Sequence, residues 1–313
     1  MSQPHFSGRI ACIGEAMVEL TSHGDDATQL NLGFAGDSLN TAIYLKRLLG
    51  ADTDVAFITR LGHDTFSTRM MSYIDSESID TSHIQHSHSR LVGLYAIDTD
   101  TSGERTFSYW RNQSAARTMF QDDDDRLSFD TLGGFDVLYL SAITLAILPA
   151  TVRTGLLQHL DALRQHGAIV AFDSNYRPAL WESTQQAQQS VADAWRITDI
   201  ALPSLDDEMA LFGDSDEARV RTRLHSYGIT RGALKRGASG PVSLDPEIEN
   251  ASFTLPETAL DVIDTTAAGD SFNAGYLAKT LAGCSDTEAM QAGHNLAARV
   301  IGHRGAIIPN ELW

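Results

Sequence analysis

Lysine is nearly missing from these 313 residues: Lys46, Lys235 and Lys279 are the whole complement. Basic residues number 23 against 41 acids, a formal net charge of −18. That deficit makes nucleic acid and anionic membrane surfaces poor partners, and it makes any cation inside a motif more telling. Cysteine is equally scarce. Cys12 and Cys284 lie far apart, and Cys12 sits in an apolar run, which reads as buried thiols in a reducing compartment and not a disulfide framework. No stretch of about eighteen uncharged apolar residues occurs, so no membrane-spanning helix is expected. Met1 to Arg9 lacks a charged segment followed by an apolar one, so no signal peptide is expected and a cytoplasmic protein is the reading. The Gly-x-x-x-x-Gly-Lys-Ser/Thr loop is missing too. The first strand runs into Gly14-Glu-Ala-Met, not Gly-x-Gly-x-x-Gly, which counts against a dinucleotide-dependent oxidoreductase.

What is present is an alternation. Ile10–Val18, Asp54–Thr59, Val137–Leu140, Ala168–Phe172, Ile200–Ala201 and Gly232–Lys235 read as buried strands. Helical patterns fall at Ser38–Leu49, Ser67–Ser76, Pro149–His166, Gln185–Trp195, Ser215–Tyr227, Ser271–Ala282 and Thr287–Ile301. Strands alternating with helices predict an α/β fold, a mostly parallel sheet sandwiched by helices, with ligands at the carboxyl ends of its strands. Two segments, about 15–34 and 91–111, are strand-like without an intervening helix and predict a small accessory sheet. The second reads as a hairpin, Leu91–Asp98 and Arg105–Arg111, turned at Asp100-Thr-Ser-Gly103. The acid run Asp122–Asp125 reads as a solvated loop or helix start. His83, His86 and His88 share no convincing strand or helix face, and a solvated loop is expected there in preference to a metal site.

The most informative stretch is Asp264-Thr-Thr-Ala-Ala-Gly-Asp270-Ser-Phe-Asn-Ala-Gly-Tyr-Leu277. Small residues crowd against an acid where a helix begins. The free N–H groups and positive dipole end of such a helix make an anion site. A carboxylate there makes sense if the amides of Ala267, Ala268 and Gly269 hold a phosphate's developing charge while Asp270 takes a proton from an attacking hydroxyl. That is phosphoryl transfer to an alcohol. The blander reading is a capped helix whose first-turn acid offsets the dipole.

This stretch resembles the C-terminal signature of the ribokinase-like (PfkB) carbohydrate kinases, and the resemblance extends over almost the whole chain. It implies a single ribokinase-like domain over residues 1–313 whose accessory sheet is a lid over a sugar. It also implies ATP and Mg²⁺, leaves a monovalent cation open, and suggests a homo-oligomer formed through lid strands. Gly33-Phe-Ala-Gly36-Asp37-Ser-Leu-Asn40 is similar to the family's N-terminal signature, in which Gly36, Asp37 and Asn40 would hold sugar hydroxyls. Ala35 departs from it, standing where many members have a second glycine.

Tyr109 and Arg111 lie two apart on one strand face, fourteen residues after Tyr95. Arginine is suited to bidentate recognition of a carboxylate, and Tyr-x-Arg here, like Asn175-Tyr-Arg177-Pro-Ala-Leu-Trp181, resembles the 2-keto-3-deoxygluconate kinases of the family. The resemblance implies that Tyr95, Tyr109 and Arg111 grip an acid sugar. It puts Asn175 and Arg177 at triphosphate oxygens, with Arg177 also near the substrate. Lys235-Arg-Gly237-Ala-Ser-Gly240 resembles a nucleotide-lining turn, Asn295 would border adenine, and Glu208 would order a magnesium shell through water. Arg304, in Gly302-His-Arg-Gly-Ala306, could add charge for the acid. The expected partners are a sugar acid and ATP. A fructokinase, a 2-keto-3-deoxygalactonate kinase and a non-catalytic sugar-acid sensor are the alternatives.

Overall fold

The computed structural model describes residues 6–23, 26–99, 105–121, 128–248 and 261–313. The chain begins with β1 (Arg9–Ile13), β2 (Met17–His23) and β3 (Asp26–Ala35), followed by α1 (Asp37–Leu49), β4 (Asp54–Ile58) and β5 (Arg60–Leu61). Next come α2 (Thr65–Ser76), β6 (Gln85–His86), β7 (Gly93–Thr99), β8 (Arg105–Trp110) and β9 (Val137–Ser141). The middle holds α3 (Ala142–Ile147), α4 (Ala150–Gln165), β10 (Ile169–Asp173), α5 (Thr184–Arg196) and β11 (Ile200–Ala201). Then follow α6 (Leu205–Phe212), α7 (Glu217–Ser226), β12 (Ala233–Leu234), β13 (Val242–Ser243), α8 (Ala268–Leu281) and α9 (Asp286–Val300).

The central sheet has five parallel strands in the order β11-β10-β9-β1-β4. Side chains alternate across it, so each strand feeds two cores. Ala11, Ile13, Leu138, Leu140, Val170 and Phe172 pack with Leu145, Leu156 and Trp195 of α3, α4 and α5. Ile10, Cys12, Val137, Tyr139 and Ala171 pack with Leu39, Tyr276 and Met290 of α1, α8 and α9. Each such large apolar side chain contributes about 1.5–3 kcal/mol on burial, which is why the strands are apolar runs and not half-polar ones. Helix starts are marked by local caps. Asp64 accepts from the amides of Phe66 and Ser67, and Ser285 forms a capping box with Glu288.

The second sheet has the order β3-β2-β7-β8, with β2 and β7 parallel and its outer pairs antiparallel. It is the predicted accessory sheet, with Tyr95 directly opposite Tyr109. The predicted turn at Asp100–Gly103 and the acid run at Asp122–Asp125 lie outside the described residues.

Three expectations change. Ile10–Val18 is not one strand: β1 stops at Ile13, where Gly14 donates to the Ile58 carbonyl at 3.1 Å, and the chain crosses into the second sheet as β2. A Cβ on Gly14 would come 2.6 Å from Ser38 Oγ, so the crossing needs a glycine. Gly232–Lys235 reaches β11 only through isolated bridges, Ala201 to Gly232 and Ser204 to Lys235, and otherwise pairs antiparallel with β13. Gly232 takes φ 137° with the Ala201 carbonyl 1.9 Å from where its Cβ would sit. Finally, α3 and α6 were not anticipated, being too short to show a helical period.

Candidate active site

The carboxyl ends of β9 and β10 and the amino ends of α1 and α8 converge on one polar cluster. Ser141 ends β9 and Asp173 ends β10, while Asp37 and Asn40 open α1 and Asp270 and Asn273 open α8. Asn40 Nδ2 donates to Asp270 Oδ2 at 2.8 Å. Asp37 accepts from Ser141 Oγ and, at 2.9 Å, from Asn175 Nδ2. Behind them Lys235 Nζ donates to Asp173 Oδ1 at 2.9 Å and Asn273 Oδ1 at 3.0 Å. Asn273 Nδ2 closes that ring on Asp173 Oδ2 at 2.7 Å and the Tyr139 hydroxyl at 3.0 Å.

Asp270 is buried, and its carboxyl is pushed up to about 8. Burial is the largest cause, then the negative charges of Asp37 and Asp173, opposed by the Asn40 hydrogen bond and by Lys235. The Tyr139 hydroxyl is driven well above its ordinary range by complete burial beside Asp173, Asp270 and Asp37.

The start of α8 carries no side-chain cap. Ala267 holds a left-handed backbone, φ 59° and ψ 16°, a conformation costing a non-glycine residue roughly 1–2 kcal/mol. Ala268 N–H reaches the Thr265 carbonyl at 3.3 Å. Among the described residues no protein acceptor meets the amides of Ala267, Gly269 or Asp270. Lys235 Nζ lies 3.7 Å from where a Gly269 Cβ would be, so its charge faces these amides. The preceding loop is pinned by Asp264, which accepts from Thr266 N–H at 2.8 Å and Gly305 N–H at 2.7 Å.

The second sheet reaches this centre. Tyr95, Met17, Ala35, Ile97 and Ala306 form a small apolar cluster against which Ala267 packs. Tyr95 donates its hydroxyl to Glu19 and stacks on Tyr109 with ring centroids 5.8 Å apart, leaving Tyr109 exposed. Arg111 is buried and paired with Glu15. Gly36 sits beneath, where a Cβ would come 2.2 Å from the Glu15 carbonyl.

The structure therefore gathers Gly36, Asp37, Asn40, Tyr95, Arg111, Lys235, Ala267, Gly269 and Asp270 around one centre, with Tyr109 beside it on β8. Other expected residues stand differently. Asn175 donates its side-chain amide to Asp37 at the start of α1. Arg177 is exposed, donating to its neighbour Tyr176 O and 3.5 Å from Asp207. Gly237 and Gly240 form a turn with φ 55° and 74°. Asn295 is exposed on α9, in a cleft of about 680 Å³ shared with Asp261, Ile263, Arg299 and His303. Arg304 is exposed on the loop that follows.

Glu208, expected to order a magnesium shell through water, is completely buried in this structure, and its two oxygens accept from Trp195 Nε1 at 3.2 Å and Arg223 Nη1 at 2.9 Å. Burial pushes its carboxyl up to about 7 against the pull of Arg223. Among the described residues no group of three or more His, Cys, Asp or Glu is arranged to hold a metal ion. The rings of His86 and His88 instead stack on His63, centroids 5.1 and 4.8 Å away.

Sequence reasoning missed Asp173, Asn273, Tyr139, Ser141, Glu15 and Glu19. Asn273 stands three residues beyond Asp270, hence on the same helix face, and Asp173 is an acid at a strand's carboxyl end; both signals were readable. Tyr139 is hidden in an apolar strand, and Glu15 has no periodic mark.

Comparison with known proteins bears on this site. Residues 7–313 match the family described as pfkB family carbohydrate kinase. The 2-dehydro-3-deoxygluconokinase of Dickeya dadantii is 46% identical over 306 residues, covering 96% of this chain and 97% of that one. The enzyme of that name from Escherichia coli strain K12 is 46% identical over 310 residues, covering 98% and 99%. The crystal structure of 2-dehydro-3-deoxygluconokinase from Thermotoga maritima superposes with a TM-score of 0.83 over 97% of this chain and 95% of that one. At 18% identity it speaks for the fold alone.

Proposed function

The chain belongs to the pfkB family of carbohydrate kinases, with their ribokinase-like fold, and we propose that it transfers the γ-phosphoryl group of ATP to the 6-hydroxyl of 2-dehydro-3-deoxygluconate. The product is the 6-phosphate. The observation that carries the chemistry is Asp270, a buried carboxylate one residue beyond amides that meet no protein acceptor among the described residues. Its substrate is supported by the two relatives at 46% identity over nearly their whole length.

In this reading Asp270, held by Asn40, accepts the proton of the attacking hydroxyl. The amides of Ala267 and Gly269 stabilise the charge developing on the transferred group, and Lys235 adds positive charge from behind. Ala268 contributes less, because its N–H already leans on Thr265. Asp37, Asn40 and Asn175 hold sugar hydroxyls around Gly36. Arg111 with Tyr95 and Tyr109 holds the acid end. Arg177, loosely tied to Asp207, is free to meet nucleotide phosphates, and the Gly237–Gly240 turn and the Asn295 cleft border the nucleotide. A divalent ion would arrive with the triphosphate, because the described residues offer no carboxylate cage. Chemistry in the cytoplasm is supported by Cys12 and Cys284, both free thiols. Pairing of two copies through their lids is supported by Phe107 and Trp110, both exposed on β8. Incubation with ATP, Mg²⁺ and 2-dehydro-3-deoxygluconate should yield ADP and one phosphate monoester whose ³¹P signal couples to the C6 protons. A phosphate at another carbon would refute the regiochemistry.

A further inference from the structure

Arg111 leaves the end of β8 and turns inward at the junction of lid and central sheet, where Glu15 waits 96 residues earlier in the chain. Arg111 Nε, at 2.8 Å, and Nη2 both donate to the same oxygen, Glu15 Oε2. The Glu15 side chain is completely shielded from solvent and that of Arg111 is 6% exposed. The pairing uses one edge of the guanidinium, and among the described residues Nη1 has no protein acceptor. The other carboxylate oxygen, Glu15 Oε1, is buried with no hydrogen-bond partner among the described residues.

A pair kept for stability would satisfy both oxygens, and a buried ion pair is in any case a weak source of stability. What this one supplies is aim. Glu15 is itself held hard: it follows the last residue of β1 by two positions, and its carbonyl presses on Gly36 so closely that no side chain fits there. Gly93 on β7 completes the fit, because a Cβ there would stand 2.8 Å from Glu15 Oε1 and 3.4 Å from Arg111 Cβ.

We infer that Glu15 is a positioning residue for Arg111: it holds the Nε–Nη2 edge so that the Nη1 end of the fork is presented to the carboxylate of the sugar acid. This rests on the reading of Arg111 as the group that binds that carboxylate. A guanidinium anchored on one edge keeps a bidentate face for a second carboxylate, and fixing it beforehand removes rotamer entropy that binding would otherwise cost.

The test is steady-state kinetics on Glu15→Ala, Glu15→Gln, Arg111→Ala and the double alanine variant, varying the sugar acid and ATP separately. Glu15→Ala should raise KM for the acid about ten- to a hundredfold, the scale of a lost charged hydrogen bond, with KM for ATP and kcat nearly unchanged. Glu15→Gln keeps an acceptor in place and should recover most of the loss. The double variant should be no worse than Arg111→Ala alone, because Glu15 acts only through Arg111. Should Glu15→Ala not fold, Gly93→Ala crowds the same carboxylate without removing a charge and should raise the same KM. An unchanged KM in Glu15→Ala, or in Gly93→Ala, beside a raised one in Arg111→Ala overturns the inference and leaves the role of Arg111 standing. An unchanged KM in Arg111→Ala removes that role and the inference with it.

Discussion

Replacing Asp270 by asparagine changes one atom and little volume. The Asn40 amide, 2.8 Å away, still finds an oxygen to meet, so the sugar and ATP pockets should keep their shape. What is lost is the proton acceptor. A positioned base contributes about 10²–10⁴-fold in rate, or about 3–5 kcal/mol of barrier. Following ADP release by a coupled assay, Asp270→Asn should lower kcat by that factor while both KM values stay within about threefold of wild type. The same substitution should stabilise the fold. The folded carboxyl sits near 8 against an ordinary 3.8, so between those values the folded state binds more protons than the unfolded one. Stability is therefore lost as pH rises through that window. Removing the group lifts the loss, so the variant's Tm should pass that of the wild type increasingly from pH 4 to 8. A variant keeping more than about a tenth of wild-type kcat would refute Asp270 as the base.

Three further outcomes follow from the same geometry. A base that must be ionised makes wild-type kcat/KM climb with pH and level off above about 8; a flat profile from pH 6 to 9 would count against it. Lys235→Met leaves Asp173 and Asn273 without their cation and removes charge beside Gly269, so kcat should drop at least about tenfold; near-normal turnover would make Lys235 purely structural. Glu208→Ala removes one of the two acids paired with half-buried Arg223, Asp214 remaining, and frees the Trp195 indole N–H; it should cost about 1–3 kcal/mol in urea unfolding, with the Mg²⁺ requirement of the remaining activity unchanged. A selective rise in that requirement would restore Glu208 to the metal shell.

The Asp264–Leu277 turn was legible because its signal is local: small residues, an acid and a helix start lie within a few positions, and Asp270 stands in the first turn of the helix as that pattern required. The α/β alternation was legible for the same reason. Long-range partnerships were not. Nothing near Asp37 in sequence announces Ser141, 104 residues away, or Asn175, 138 away. The crossing from β1 to β2 was invisible because apolar residues continue through the Gly14 turn, and only the crowding of Ser38 against Gly14 makes it a break. The surroundings of Glu208 were hidden for a related reason. An acid in the first turn of a helix looks solvated or ligand-facing, and its burial depends on Trp195 and Arg223 arriving from α5 and α7.

The central claim is that the site phosphorylates an acid sugar, and substrate competition tests it most directly. The kcat/KM for 2-dehydro-3-deoxygluconate, fructose and ribose should be measured under one set of ATP and Mg²⁺ concentrations. A charge-assisted grip on the carboxylate predicts a preference for the acid of about a hundredfold or more over either neutral sugar. Arg111→Ala should erase most of that preference. Equal or faster turnover of fructose would contradict the account.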